Sequence, residues 1–358
     1  MAMLRLVLGF LAVLIFTGCR SSAGLLGPMV QIGRTDGKTG MVVIWRTDEA
    51  GDSRLDYGLF LQYTDSVYDS SLVTYHAVTL KDLRPGTRYA YRISTNGKVL
   101  AEKFFYTNKF DSEPFHFAVF GDSGSGDRHQ YKVSRQIEKQ APDFILHTGD
   151  LVHYSGKDRK YPYHFYYPYR DLISRIPFFP SLGNHDYKNN KGQSMLDNFV
   201  LPGNERDYSF DYGNAHFVAL DSNQVNQTSV AWLEADLAAT QKIWKIVFFH
   251  HPPPFTGTHS GDKSMTDLWM PLFVKYKVDI VFCGHQHFYA RSQPIGGVVY
   301  VIEGCGGKRR YKFTSASHWV YGDDEHWGFG WVTINYKELA FAHFTDEGKI
   351  MDSFVIRK

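Results

Sequence analysis

The sequence predicts a chain in two parts, an all-β sandwich followed by an α/β domain, and three observations carry that expectation. Short β-rich runs separated by turn signals fill the region up to Tyr106. From Phe115 the pattern changes to strand, helix, strand, which is how a parallel sheet is written. At 358 residues, 43% of them hydrophobic and with 27 Phe and 23 Tyr, the chain is long enough for two domains and can fill a large core.

The elements follow in order. Arg5 gives a positive start, Leu6 to Phe16 is an apolar run too short to span a bilayer, and Thr17-Gly18-Cys19 follows. Small residues before a Cys resemble a bacterial lipoprotein signal, in which that Cys becomes the lipidated first residue. Phe16 stands where Leu is usual, so cleavage by an ordinary signal peptidase is the alternative. Residues 1–19 are therefore expected to be a signal peptide and the protein to be exported. It would be a cell-envelope lipoprotein, periplasmic or outer-surface, attached to a membrane only through Cys19, or otherwise secreted.

Residues 28–107 read as the sandwich. Met41 to Trp45, Ser53 to Gly58, Tyr75 to Leu80 and Tyr89 to Ile93 are candidate strands, with Arg84-Pro85-Gly86 and Asn96-Gly97 as turns. Residues 114–358 read as the second domain. Phe115 to Phe120 is an apolar strand ending in Gly121-Asp122, Gln130 to Gln140 a polar helical stretch, and Asp143 to His147 a strand ending in Gly149-Asp150. Further strands end at Gly183-Asn184-His185, His250-His251 and Gly284-His285. Ligands of parallel sheets gather at the carboxyl ends of strands, where all these polar residues fall.

Charge and composition narrow the chemistry. A net charge of +2 gives no nucleic-acid-binding signature. Sixteen His against three Cys favour imidazole metal ligands over thiolates. Asp, Asn and His supply hard oxygens and borderline nitrogens, suited to Zn, Fe, Mn or Ni better than to Ca or Mg. Taken singly, each motif has a plain alternative: Gly121-Asp122-Ser123-Gly124 and Gly183-Asn184-His185-Asp186 as turns, Asp150 as a helix cap. His285 and His287, at alternate positions of an extended segment, point to the same side. Five such motifs, each behind a strand, form a strong joint signal.

In this order, G-D-x-G, G-D, G-N-H-D, H-H-P and G-H-x-H, they resemble the calcineurin-like metallophosphoesterases, and within them the purple acid phosphatase group. Leu83 to Tyr91, L-R-P-G-T-R-Y-A-Y, resembles the turn-and-tyrosine segment of fibronectin type III modules, which that group carries at its N-terminus. Gly284 to Arg291, Trp232-Leu233 before Lys245 to His250, and the closing Gly348 to Val355 also fit. The resemblance implies a catalytic domain of two packed mixed β-sheets flanked by helices. It implies two metal ions, a combination of Fe, Zn or Mn, the first held by Asp122, Asp150 and His287 and the second by Asp150, Asn184, His250 and His285. Asp150 would be the bridge. Hydrolysis of a phosphomonoester by a metal-bridging hydroxide is the implied reaction.

One position departs from the group. Purple acid phosphatases place a tyrosine ligand three residues after the bridging Asp, and its charge transfer to ferric iron gives their colour. Here that position is His153, with Tyr154 next to it. Either His153 serves as a neutral ligand, or a bulge brings Tyr154 in, or water fills the place. A His ligand favours a divalent ion, so a colourless or weakly coloured protein is expected. By resemblance His185 is the candidate general acid and His259 a phosphate contact, while His251 lies next to a ligand or touches phosphate itself.

Other features are open at this level. The tyrosines from Tyr154 to Tyr169 line a cleft or, more simply, pack an irregular loop on the sheet. Lys308-Arg309-Arg310 meets a charged substrate or is a solvated loop. Cys283 and Cys305 form a disulfide or remain buried thiols. The competing functions are an exported phosphodiesterase or nucleotidase on the same site and, in another class, a catalytically inactive surface-binding protein.

Overall fold

The computed structural model describes residues 24–60, 62–253, 263–313 and 318–358. The expected signal peptide, with Cys19, and the candidate phosphate contact His259 lie outside the described residues. Among the described residues no helix is long and apolar enough to cross a membrane.

The first domain consists of β1 (Leu26–Gln31), β2 (Met41–Gly58), β3 (Asp65–Leu80), β4 (Arg88–Thr95) and β5 (Lys98–Tyr106). The two runs expected at Met41 to Trp45 and Ser53 to Gly58 are one 18-residue strand. Its first part pairs with β1 and the end of β3, its last part with β4 and the beginning of β3. Register shifts between Arg46 and Ser53 mark the bend that lets one ribbon serve both layers of the sandwich. Across that bend the indole of Trp45 donates to Thr95 Oγ1 at 3.2 Å, and Leu55, Tyr91 and Phe105 are buried with it.

The second domain opens with β6 (Phe115–Phe120), α1 (Arg128–Gln140), β7 (Phe144–His147), α2 (Tyr167–Ile173), β8 (Phe178–Pro180), α3 (Asn184–Tyr187) and α4 (Gln193–Leu196). There follow β9 (Tyr208–Tyr212), β10 (Ala215–Ala219), α5 (Gln227–Ala239), β11 (Trp244–Phe248), α6 (Met270–Lys275), β12 (Ile280–Cys283), β13 (Tyr289–Ser292) and β14 (Val299–Glu303). The chain closes with β15 (Trp319–Asp323), β16 (Gly328–Asn335), β17 (Glu338–Thr345) and β18 (Ile350–Arg357). One sheet has the order β18-β17-β16-β6-β7-β8 and the other β15-β13-β14-β12-β11-β10-β9. Both are mixed: β10, β11, β12 and β14 run parallel in the middle of the second sheet, while in the first β6, β7 and β8 run parallel at one end and meet the antiparallel strands at β16.

Period-two alternation explains why the sheets pack. Ile246 and Phe248, Phe217, and Ile280 and Phe282 face the other sheet, while Val247, Val218 and Val281 face Leu233, Leu237, Trp269 and Phe273 of the helical layer. Between the sheets Phe117 meets Phe217 and Phe282 edge to face, and Phe144 meets Phe210 and Phe217. On the other side α1 is capped by Asp127, which accepts from the backbone N–H groups of His129 and Gln130, and buries Val133 and Ile137.

One expectation needs correction and one open pair of alternatives closes. The Tyr154 to Tyr169 stretch is not an irregular loop: it is largely helical, with a π turn at Pro162–Tyr166 leading into α2. Tyr161, Tyr166 and Tyr169 are buried, whereas Tyr154, Tyr163 and Tyr167 are exposed. Cys283 and Cys305 are both buried and free, so the thiol alternative holds and the disulfide does not.

Candidate metal centre

Asp122 follows β6, Asp150 follows β7, Asn184 opens α3 after β8, His250 follows β11, and His285 and His287 follow β12. These strands belong to two sheets, and their carboxyl ends meet at one edge of the stack. Each loop must turn sharply to aim its side chain inward. Asp122, Asp150 and His285 do so in the left-handed region, at φ 55°, 59° and 67°, a conformation non-glycine residues rarely hold except where the surroundings enforce it. Neighbouring glycines make room. A β-carbon on Gly183 would lie 2.1 Å from Asp150 Oδ1, and one on Gly284 would lie 2.7 Å from Asp122 Oδ2.

Every candidate ligand named above reaches this edge. Around Asp122, His287 Nε2 lies 3.2 Å from Oδ1 and His153 Nε2 lies 3.8 Å from it. Around Asn184, Oδ1 is 3.0 Å from both His250 Nε2 and His285 Nδ1. Asp150 Oδ2 stands between the two groups, 3.5 Å from His153 Nε2 and 3.5 Å from His250 Nε2. Asp150 does more than cap: its Oδ1 accepts the His185 N–H at 2.9 Å in the first turn of α3, while its Oδ2 faces the histidines. Tyr154 does not enter: His153 is buried, whereas Tyr154 is 70% exposed, turned outward at φ 76°.

The tautomers are fixed from outside. His250 Nδ1 donates to the Thr148 carbonyl at 2.8 Å and His287 Nδ1 donates to the Arg309 carbonyl at 2.7 Å. Held this way, each Nε2 is turned toward a carboxylate or carbonyl oxygen, and where the ring is neutral its lone pair meets that oxygen's, an arrangement that repels unless a cation lies between. Asp122 Oδ1, Asp150 Oδ2 and His153 Nε2 are buried and have no hydrogen-bond partner. Burial raises the carboxyls of Asp122 and Asp150, the latter also through repulsion from Asp122 and Asp186. Burial likewise drives His153 and His250 far toward the neutral form. Neutral imidazoles, crowded carboxyls and orphaned lone pairs fit a pair of metal ions.

His185 differs from these rings. Its Nδ1 accepts the Tyr154 N–H at 3.1 Å, so the neutral ring carries its proton on Nε2, 3.9 Å from Asp150 Oδ2. That geometry offers a donor rather than a ligand. Burial first, then the Lys188 ammonium, lowers its pKa to about 4. His251 stands behind His285 with Nδ1 paired to Ser222 Oγ at 2.9 Å, and burial lowers it to about 4.

Some supporting residues were missed from sequence. The Asp186 carboxylate accepts the N–H groups of Leu151, Val152 and Gly183, tying the Asp150 loop to the Asn184 turn. It stood in the quoted G-N-H-D motif, so the signal was there. The Thr148 and Arg309 carbonyls have no side-chain signature at all. Tyr311 stacks on His287 with ring centres 4.0 Å apart.

Comparison with known proteins agrees with this geometry. Residues 29–117 match the family described as Purple acid Phosphatase, N-terminal domain, and residues 115–289 match Calcineurin-like phosphoesterase. An uncharacterized Mycobacterium tuberculosis protein is 26% identical, over 78% of this chain and 64% of its own length. Purple acid phosphatase 21 of Arabidopsis thaliana is 28% identical, over 76% of this chain and 70% of its own, and Probable inactive purple acid phosphatase 1 of that plant is 24% identical, over 79% and 57%. The chain thus spans a little under two thirds of the length of the mycobacterial relative. Among solved structures, purple acid phosphatase PPD1 of yellow lupin superposes with a TM-score of 0.79 at 21% identity, covering 93% of this chain and 74% of that one. PhoD superposes at 0.72 with 14% identity, covering 94% and 90%. Run end to end, the two family matches extend from residue 29 to residue 289, so the chain carries a calcineurin-like phosphoesterase domain behind a purple acid phosphatase N-terminal domain.

Proposed function

We propose that the protein is an exported dinuclear-metal phosphomonoesterase. The observation that carries this reading is Asp150 Oδ2, a buried carboxylate oxygen without a hydrogen-bond partner, placed between two sets of lone pairs. Asp122, His153 and His287 would complete one metal site, and Asn184, His250 and His285 the other. Bound there, two divalent ions would supply Lewis acidity, making water nucleophilic near neutral pH and neutralising phosphoryl oxygens.

The chain's own groups do the rest. Thr148 and Arg309 hold two imidazoles in the ligating tautomer. His185 presents Nε2–H beside Asp150, where it can donate to the leaving oxygen or to phosphate. His251 is steadied by Ser222 through both its ring and its backbone N–H and stands next to His285. Removing the shared oxygen tests the reading: Asp150→Asn should lose bound metal, measured by elemental analysis, together with hydrolysis of p-nitrophenyl phosphate. A wild-type protein that takes up neither Zn, Mn nor Fe would overturn it in favour of a binding protein. Export rests on residues 1–19. Cys19→Ser should move the protein from the membrane fraction to the soluble one, and an unchanged distribution would remove the lipid anchor.

A further inference from the structure

The loop after β14 is nailed to the centre along its length. The Lys308 N–H donates to the Asp122 carbonyl at 2.9 Å, and its own carbonyl accepts the Trp327 indole N–H at 2.8 Å. The next carbonyl, of Arg309, accepts from His287, and the Tyr311 N–H donates to the His287 carbonyl at 3.1 Å. Arg310 lies with its guanidinium 4.0 Å from the centre of the Trp327 ring and donates to the Asp324 carbonyl, so its charge is used in holding the loop. Trp327 is in turn stacked on His129 at 3.5 Å. The basic run that looked like a solvated loop is a brace.

Of the three, Arg309 is exposed and Arg310 braces the loop, while Lys308 is the half-buried member set beside Tyr154. Its Nζ lies 3.8 Å from the centre of the Tyr154 ring, the exposed neighbour of His153. The ring of Tyr154 is 6.1 Å from those of both His153 and His185. Lys308 is half-buried, and among the described residues no carboxylate lies within ion-pair distance of it. Two divalent ions would exceed the charge of Asp122 and Asp150, leaving the mouth net positive. Only an incoming anion would then complement the ammonium.

We propose that Lys308, parked on Tyr154, is an anion clamp at the mouth of the metal centre that selects dianionic phosphate esters over monoanionic diesters. This rests on the hydrolase reading above and names the residue that would enforce its preference for monoesters. A monoester near neutral pH carries a second negative charge on the phosphoryl group, and a partly buried ammonium rewards that charge, whereas a diester has none to offer. Tyr154 keeps the long side chain from wandering, so little freedom is lost when the anion arrives.

The test is Lys308→Gln and Lys308→Arg in the full, metal-loaded chain. Binding of inorganic phosphate, followed by calorimetry, should weaken about tenfold in Lys308→Gln and recover in part with arginine. The KM for p-nitrophenyl phosphate should rise by a similar factor with a smaller change in kcat, and kcat/KM should fall at least fivefold more for this ester than for the bis ester. Equal losses on both esters, unchanged phosphate affinity, or loss of metal from the variant would each overturn the clamp. The last would make Lys308 a prop for Asp122 only. A wild-type protein that cleaves neither ester would refute the hydrolase reading, and the phosphate titration would still decide the clamp.

Discussion

His153 and Tyr154 are adjacent in the chain and face opposite ways, and the difference sets the electronic character of the centre. The imidazole lies within 3.5 Å of Asp150 Oδ2 and is buried, while the phenol looks outward beneath Lys308. A neutral nitrogen offers no phenolate-to-metal charge transfer, so iron-loaded protein should lack an intense visible band. His153→Tyr should create one, seen in the visible absorption spectrum after loading with ferric iron. A purple wild-type protein would mean that Tyr154 swings in. At this scale the sequence was readable wherever a residue acts through its own side chain in a dense motif. It failed for Lys308, because a short basic run looks the same whether it is solvated or pinned. It failed also for Thr148 and Arg309, because a carbonyl that orients an imidazole can belong to any residue.

Between β9, β10 and α5 a second histidine is held in the opposite state. His216 is buried and bonds Asp211 through Nδ1 at 2.7 Å and Asp236 through Nε2 at 2.8 Å. Burial opposes its charge, but the two carboxylates outweigh burial and raise its pKa to about 9. Because the folded value lies above the ordinary one near 6.5, the stabilisation is complete below pH 6.5 and is lost as pH rises through 9. A rise of that size corresponds to about 3 kcal/mol. Urea unfolding from pH 6 to pH 10 should show this loss in wild-type protein and a much flatter profile in His216→Gln. Parallel profiles would remove the ion triad from the stability of this sheet edge. Elements differ in how well they could be read. The strands buried on both faces, such as β6 and β12, were plain as apolar runs. The first half of β3 was not: Asp65 to Leu72 is almost wholly exposed, so no alternation between faces exists to be seen. The bend in β2 likewise depends on register shifts, which leave no residue signature.

At the level of the whole molecule, the sequence suggests two parts through its change of pattern from Phe115, but their union was not legible, since it relies on side chains far apart in sequence. One buried cluster runs from Met29 and Trp45 of the first domain to Phe178 and Phe199 of the second. Polar groups lock the seam. The Gln31 amide donates to the Phe178 carbonyl at 3.0 Å, Arg46 donates to the Asp197 carbonyl, and the Tyr91 hydroxyl donates to the Ser174 carbonyl at 2.6 Å. Ser174 ends the helix that leads into β8, and β8 leads into Asn184, so the β-sandwich buttresses one side of the metal centre. Tyr91→Phe keeps the ring and its packing on Phe105 but leaves a buried carbonyl unpaired, which should cost about 1–3 kcal/mol. Because the core is shared, that loss should be felt by both domains at once. Denaturation followed through Trp45 on one side and Trp244 on the other should give coincident transitions, both shifted in the variant. Two separate transitions, with only the first domain weakened by Tyr91→Phe, would show that the sandwich is an independent module and that its contact with the catalytic domain contributes nothing to holding the centre.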